Sequence, residues 1–212
     1  MKTRVRGLIA ATACLVLLTI AAETFAQSGS DSLEKLWQKA NKDFSAGKFA
    51  DAEHDFRDIL KQNSSNTYAQ LYLGHALFRQ EKYSEAIIPY EKARELDGTE
   101  KKLSPDQRRV LIDQLAMAYG ISGDLEKSRI LLEDAIHVDP NYPLNYYNLA
   151  CVFAEQDNKK SVLSNLALAF QHKDNVLKGE KMPDPRTDSS FQKYARDDEF
   201  TKLMKELGYN EI

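Results

Sequence analysis

The feature that most constrains this chain is a pattern of small and large residues that returns at a fixed period. Leu73-Gly74-His75-Ala76-Leu77-Phe78 is followed by Tyr83, Ala86, Tyr90 and Ala93. Leu115-Ala116-Met117-Ala118-Tyr119 leads in the same order to Leu125, Ser128, Leu132 and Ala135, and Leu149-Ala150-Cys151-Val152-Phe153 leads to Val162, Leu166 and Ala169. A weaker first copy runs through Leu36, Ala40, Phe44, Gly47, Phe49, Ala52, Phe56 and Ile59. Units begun at Leu33, Thr67, Arg109 and Pro143 are offset by 34, 42 and 34 residues, so the middle interval carries an eight-residue insertion around Gly98 to Pro105. Self-similarity at such a period marks one supersecondary unit that buries its apolar face only by stacking on its neighbours.

Within each unit apolar residues recur at helical spacing in two successive stretches, and neither stretch is apolar all round. Each unit therefore reads as a helix, a turn and a second helix. Small residues at Ala40, Gly74, Ala116 and Ala150, and at Ala52, Ala86 and Ser128, let paired backbones approach. Phe56, Tyr90, Leu132 and Leu166 supply the bulk between them, each contributing about 1.5–3 kcal/mol when fully buried. Ser104-Pro105-Asp106-Gln107 predicts a capped helix start, and Asp139-Pro140 followed by Pro143 predicts a stop and a new start. Pro89 falls inside a second helix and predicts a bend there. Lys39 and Asp43 in the first unit, and Lys159 and Val162 in the fourth, depart from the pattern.

This arrangement resembles the tetratricopeptide repeat, a 34-residue helix-turn-helix, over about residues 33 to 174. The resemblance implies an all-α, tetratricopeptide-type α-solenoid of four helix-turn-helix repeats, with units near 33–66, 67–100, 109–142 and 143–174. After His172 the chain turns polar, and Gly179, Pro183 and Pro185 mark a linker over 175–187. Phe191 and Tyr194, then Phe200, Leu203 and Leu207 with Gly208 behind them, predict short amphipathic helices over 188–212 that cap the last repeat or fold into its groove. That run is similar to tails that follow the last repeat in bacterial members of the family.

The first 26 residues read as a signal peptide. Lys2, Arg4 and Arg6 precede an apolar run from Leu8 to Ala22, and Thr24-Phe25-Ala26 offers small residues for cleavage before Gln27. Fifteen apolar residues fall short of the roughly 20 that a bilayer-crossing helix needs. The expectation is an exported bacterial protein, periplasmic or secreted, that meets a membrane only through an uncleaved signal segment. The whole chain has formal charge −3, and loss of the basic leader makes the remainder more acidic. With no clustered Lys/Arg stripe, nucleic acid is not an expected partner. Cys14 leaves with the leader, so Cys151 has no internal disulfide partner.

No residues suggest a catalytic or cofactor site. His54, His75, His137 and His172 lack metal-ligand spacing, and the acids Asp51, Asp55 and Asp58 around His54 read as a solvated face. There is no Gly-rich phosphate loop and no nucleophile elbow. No enzyme activity, metal or cofactor is expected.

What the resemblance implies instead is a concave groove lined by the first helix of each repeat. It selects Trp37, Asn41 and Phe44 in the first unit and Tyr68, Leu71, His75, Phe78 and Arg79 in the second. The third contributes Val110, Asp113, Met117 and Ile121, and the fourth Leu144, Tyr147, Cys151 and Glu155. So apolar a set suits an apolar strip on a helix or extended peptide. The family's clamp for a peptide carboxyl terminus is not reproduced: Asn41 matches one position, while Trp37, Val110 and Gln114 stand where its cations would be. The implied function is a protein-binding scaffold, and the alternative is a structural or self-associating module whose own tail covers the groove.

Overall fold

The computed structural model describes residues 31–209, so the expected signal peptide lies outside the described residues. These residues fall into two compact units divided between Ser64 and Ser65. Helices are joined by turns throughout, and no helix among the described residues is long and apolar enough to cross a membrane.

The first unit is one helical hairpin, α1 (31–45) and α2 (Phe49–Gln62). Ala40 and Ala52 are fully buried, as are Phe56 and Ile59, so the small register admits the close approach that the sequence predicts. Trp37 presents an edge contact to Phe56 with ring centroids 5.6 Å apart, and Phe44 does the same to Phe49 at 5.4 Å. The departures at Lys39 and Asp43 form one ionic group. Lys39 Nζ donates to Asp43 at 3.1 Å and, across the hairpin, to the buried carboxylate of Asp55 at 2.5 Å. Hydrogen bonding to Asp55 and then Asp43 raises the Lys39 pKa.

The second unit holds three further hairpins: α3 (Thr67–Phe78) with α4 (Tyr83–Glu100), α5 (Pro105–Ile121) with α6 (Leu125–Val138), and α7 (Pro143–Glu155) with α8 (Lys159–Gln171). Helices in sequence pack on one another, and the first helices also meet directly, α3 on α5 and α5 on α7. Gly74 shows why the register must be small: a Cβ there would lie 2.5 Å from the Tyr90 ring, which is itself fully buried. Ala116, Ala150, Ala86 and Ser128 are likewise buried, and Ser128 Oγ donates to the Ala116 carbonyl at 2.8 Å. The helix α4 is unbroken through a buried Pro89.

Each hairpin turn needs one residue of left-handed backbone, and these recur in phase at Gly47, Glu81, Gly123 and Asp157 with φ of +76°, +61°, +89° and +57°. Two of the four are not glycine, so the sequence alone showed only half of this series.

The insertion is absorbed by a longer helix and a tied loop. α4 reaches 18 residues and ends at Lys101 in left-handed backbone. Buried Asp97 then accepts from the Leu103 amide at 2.7 Å and from Arg108 Nε at 2.5 Å. Thr67 Oγ1 donates to Glu100 at 2.6 Å, and the Tyr68 hydroxyl donates to the Lys102 carbonyl at 2.7 Å. The expected capping box opens α5, with the Gln107 amide donating to Ser104 Oγ at 3.2 Å and Gln107 Oε1 accepting from the Ser104 amide at 2.9 Å.

The tail is ordered against the fourth hairpin. A 3-10 turn at Lys173–Asn175 leads into an irregular stretch with turns at 178–179 and 185–187, a second 3-10 turn spans Ser189–Tyr194, and α9 spans Asp198–Glu206. The second turn packs on α7 and α9 packs on α8. Phe191, Tyr194, Phe200 and Met204 join Tyr147, Ala150, Val162 and Leu166 in one apolar cluster. Lys159, another departure from the repeat pattern, reaches α9 with Nζ 2.9 Å from Asp197 and 2.6 Å from Glu199. Gly208, with φ +93°, ends α9 by letting its own amide and that of Tyr209 return to the Lys205 and Met204 carbonyls.

Candidate protein-binding face

The first helix of each hairpin carries the positions that the repeat pattern singles out, and its packing decides which remain open. In the first unit Trp37 and Phe44 are half-buried through their edge contacts to Phe56 and Phe49. Asn41 is turned back on its own helix, its side-chain amide donating to the Trp37 carbonyl at 3.0 Å.

In the second unit α3 places Tyr68, His75 and Phe78 half-buried, Arg79 exposed and Leu71 fully buried, so Leu71 serves packing and offers no surface. Phe78 makes an edge contact with Tyr83 at 5.1 Å. His75 joins a polar knot between α3, α4 and α5: Nδ1 lies 2.7 Å from Gln114 Oε1 and 2.9 Å from the Tyr90 hydroxyl, which also donates to Gln114. Burial lowers the His75 pKa to about 4 despite the opposing Gln114 bond, so the ring is neutral at pH 7. Burial also drives the Tyr90 pKa up.

Along α5 the four selected positions diverge. Met117 and Ile121 are 44% and 56% exposed, the most open large apolar groups on any first helix among the described residues. Val110 is half-buried, and Asp113 is buried. Asp113 Oδ2 accepts from the Tyr142 hydroxyl at 2.7 Å and Oδ1 from Asn148 Nδ2 at 3.1 Å. Burial raises its pKa to about 7, against the lowering effect of its two hydrogen bonds. Arg109 lies over the Tyr142 ring, 4.8 Å from its centroid, with Nε bonded to Asp139 at 2.8 Å.

On α7 the tail takes up the selected positions. Tyr147 is buried, its ring edge-on to Phe191 at 5.7 Å and its hydroxyl donating to Asp188 at 2.8 Å. Cys151 stands beside Ser190 and Asp188, and burial pushes its thiol up to about 12, which makes it unreactive at neutral pH. Leu144 packs on the same apolar cluster and Glu155 stays exposed. Lys193 closes the far end, donating to the Ala154 carbonyl at 2.6 Å and to Asp157 at 2.5 Å. The structure therefore brings Tyr147 and Cys151 together under the tail. Sequence reasoning raised that occupancy as an alternative without being able to choose it.

Asp55 and Asp58 lie 3.7 and 3.6 Å from His54 Nδ1, and each is bonded more closely by a lysine. Asp55 is held by Lys39, and Asp58 accepts from Lys61 at 2.7 Å. No group of three or more metal-ligating side chains forms among the described residues.

Residues 38–100 match the tetratricopeptide repeat family model. No curated protein matches the chain. Among solved structures, the chain resembles MamA with TM-score 0.63 and 19% identity over 82% of this chain and 90% of that one. It also resembles YrrB, described as a tetratricopeptide repeat protein with an unusual peptide-binding site, with TM-score 0.56 and 17% identity over 79% and 80% of the two chains. A tetratricopeptide repeat protein from Parabacteroides merdae matches with TM-score 0.59 and 17% identity over 84% of this chain and 67% of that one. From the phased hairpins, the repeat model matched over residues 38–100 and these shared folds, the chain has an all-α solenoid fold of the tetratricopeptide-repeat type.

Proposed function

We propose that this protein is a non-enzymatic scaffold that holds a polypeptide against the first helices of its repeats, with α5 as the main open contact. The observation that carries this reading is the pair Met117 and Ile121, exposed on one face of α5 at positions where the repeat pattern places ligand contacts. Large apolar groups left open on a recognition face mark where a partner's apolar strip can be buried. The likeness to YrrB supports a peptide as the partner class.

The test contrasts two sides of the same hairpins. Photo-crosslinking residues at 117 and 121 should trap a polypeptide, while the same residues at 88 and 130, exposed positions of the second helices α4 and α6, should not. Equal trapping from both sets, or none from 117 and 121, would reject this face. We further propose export: amino-terminal sequencing of protein from the expressing cell should begin at Gln27, and an intact Met1 would overturn it.

One observation favours a second reading. The tail covers Tyr147 and Cys151 through Asp188, Ser190 and Phe191, so in the fourth repeat the chain acts as its own ligand. Removing residues 175–212 separates the two readings. A soluble product that gains affinity for peptides which Met117→Lys abolishes shows a covered groove, whereas aggregation without gained binding shows an end cap.

A further inference from the structure

The irregular stretch between the two 3-10 turns reaches Tyr142 through Glu180. Glu180 Oε2 lies 3.5 Å from the Tyr142 hydroxyl, the group that donates to Asp113 Oδ2 at 2.7 Å. Three oxygen-bearing groups thus meet with one phenolic proton among them when both carboxyls are ionised. That proton is committed to Asp113, and the Glu180 carboxylate faces a hydroxyl with nothing left to donate. One more proton completes the chain. Neutral Asp113 donates from Oδ2 to the tyrosine oxygen, Tyr142 donates to Glu180, and Asp113 Oδ1 still accepts from Asn148.

We propose that Asp113, Tyr142 and Glu180 form a proton-linked latch, which fastens the tail segment over 176–187 across α5 and α7 when one proton is bound and loosens it when that proton leaves.

The surroundings of Asp113 agree with this. On its own helix the charged neighbour is Arg109, which favours the ionised form but is itself engaged by Asp139 at 2.8 Å and by Asp106 at 3.9 Å. From α7 it meets the neutral amide of Asn148, from the turn before α7 the phenol of Tyr142, and from the tail the carboxylate of Glu180. Burial and Glu180 both disfavour a second negative charge at this place, and the Glu180 effect vanishes when the segment lifts. Docking therefore takes up a proton, and its equilibrium must shift toward the open form as pH rises through neutrality. Three further tail anchors, Tyr147 to Asp188, Lys193 to Asp157 and Lys159 to Asp197, lie outside the segment over 176–187. The latch thus acts on the linker and leaves α9 docked. It does not depend on whether a polypeptide binds at α5.

Hydrogen exchange of the full chain tests it, with exchange times scaled to intrinsic rates at pH 5.5, 7 and 8.5. Backbone amides over 176–187 should lose protection by about tenfold from the lowest to the highest pH, the equivalent of about one unit of pKa difference between docked and open forms. Glu180→Gln, an exposed change that supplies an amide donor, should hold the protection of pH 5.5 at every pH. Asp113→Asn should likewise remove the dependence. A flat profile in the unaltered protein would overturn the latch, as would an unchanged dependence in Glu180→Gln. So would a parallel loss of protection in α8, which would mean general loosening.

Discussion

At Gly74 the space for one methyl group decides how close α3 and α4 can lie. Gly74→Ala would push a Cβ to 2.5 Å from the rigid, fully buried Tyr90 ring, and overpacking of this kind costs about 1–3 kcal/mol. Thermal unfolding should show a lowered midpoint, and a midpoint equal to the parent's would mean the pair separates without strain. This residue was legible in the sequence because small and large positions alternate in phase with the repeat. The departures Lys39 and Lys159 were visible only as breaks in the pattern. Their partners, Asp55 for the one and Asp197 with Glu199 for the other, lie 16 to 40 residues away, and no periodicity links a cation to an acid across a turn. Asp113 was misleading in a different way: its register is that of a ligand contact, yet Tyr142 and Asn148 already occupy both oxygens.

Among the elements, the hairpin turns and helix caps carry separable contributions. Glu81 adopts φ +61° where two of its three counterparts are glycine, and left-handed backbone costs an ordinary L-residue about 1–2 kcal/mol. Glu81→Gly should therefore raise the denaturant midpoint modestly, with an unchanged or lowered midpoint counting against strain at this turn. In the opposite direction, Ser104→Ala removes the oxygen that accepts the Gln107 amide. It should cost about 0.5–2 kcal/mol, read as lost helicity and a lower midpoint. Helix existence, the α5 start and the α9 stop were all written in local residues. The path of the tail was not, because residues 176–187 have no period, and their position depends on contacts such as Tyr147 to Asp188, 41 residues apart. Phe191→Ala tests that packing: the loss of a fully buried ring should cost about 3–5 kcal/mol. Thermolysin should then cut the tail before it cuts α8.

For the whole molecule two buried titrating groups, Asp113 and His75, pull in opposite directions. Asp113 has a folded pKa near 7 against an ordinary 3.8, so the native state holds a proton that the unfolded chain releases, and stability falls as pH rises between those values. His75 has a folded pKa near 4 against 6.5, so the unfolded chain binds the extra proton and stability rises with pH over that window. The limbs overlap from about pH 4 to 6.5, and urea midpoints of the unaltered protein should vary little there. Asp113→Asn leaves the His75 limb alone, so its midpoint should climb with pH, reflecting a gain in unfolding free energy on the order of 2–3 kcal/mol across the window. A variant as flat as its parent would show that Asp113 does not titrate as its burial requires. Below about pH 4 both proteins should weaken together, as Asp197 and Asp184, held low by Lys159 and Arg186, take up protons.

The insertion between the second and third hairpins has a consequence for how a nearly periodic chain finds its own order. Similar modules invite misalignment, since a helix that accepts one neighbour can accept the equivalent face of another. The junction at Asp97 carries its own pairing: a buried carboxylate there is matched by the Leu103 amide and Arg108, which follow it within 11 residues. A chain that stacked out of sequence would leave that charge unpaired away from water, and such a charge is strongly destabilising. One irregular interval thereby works as a key, marking which hairpin comes next.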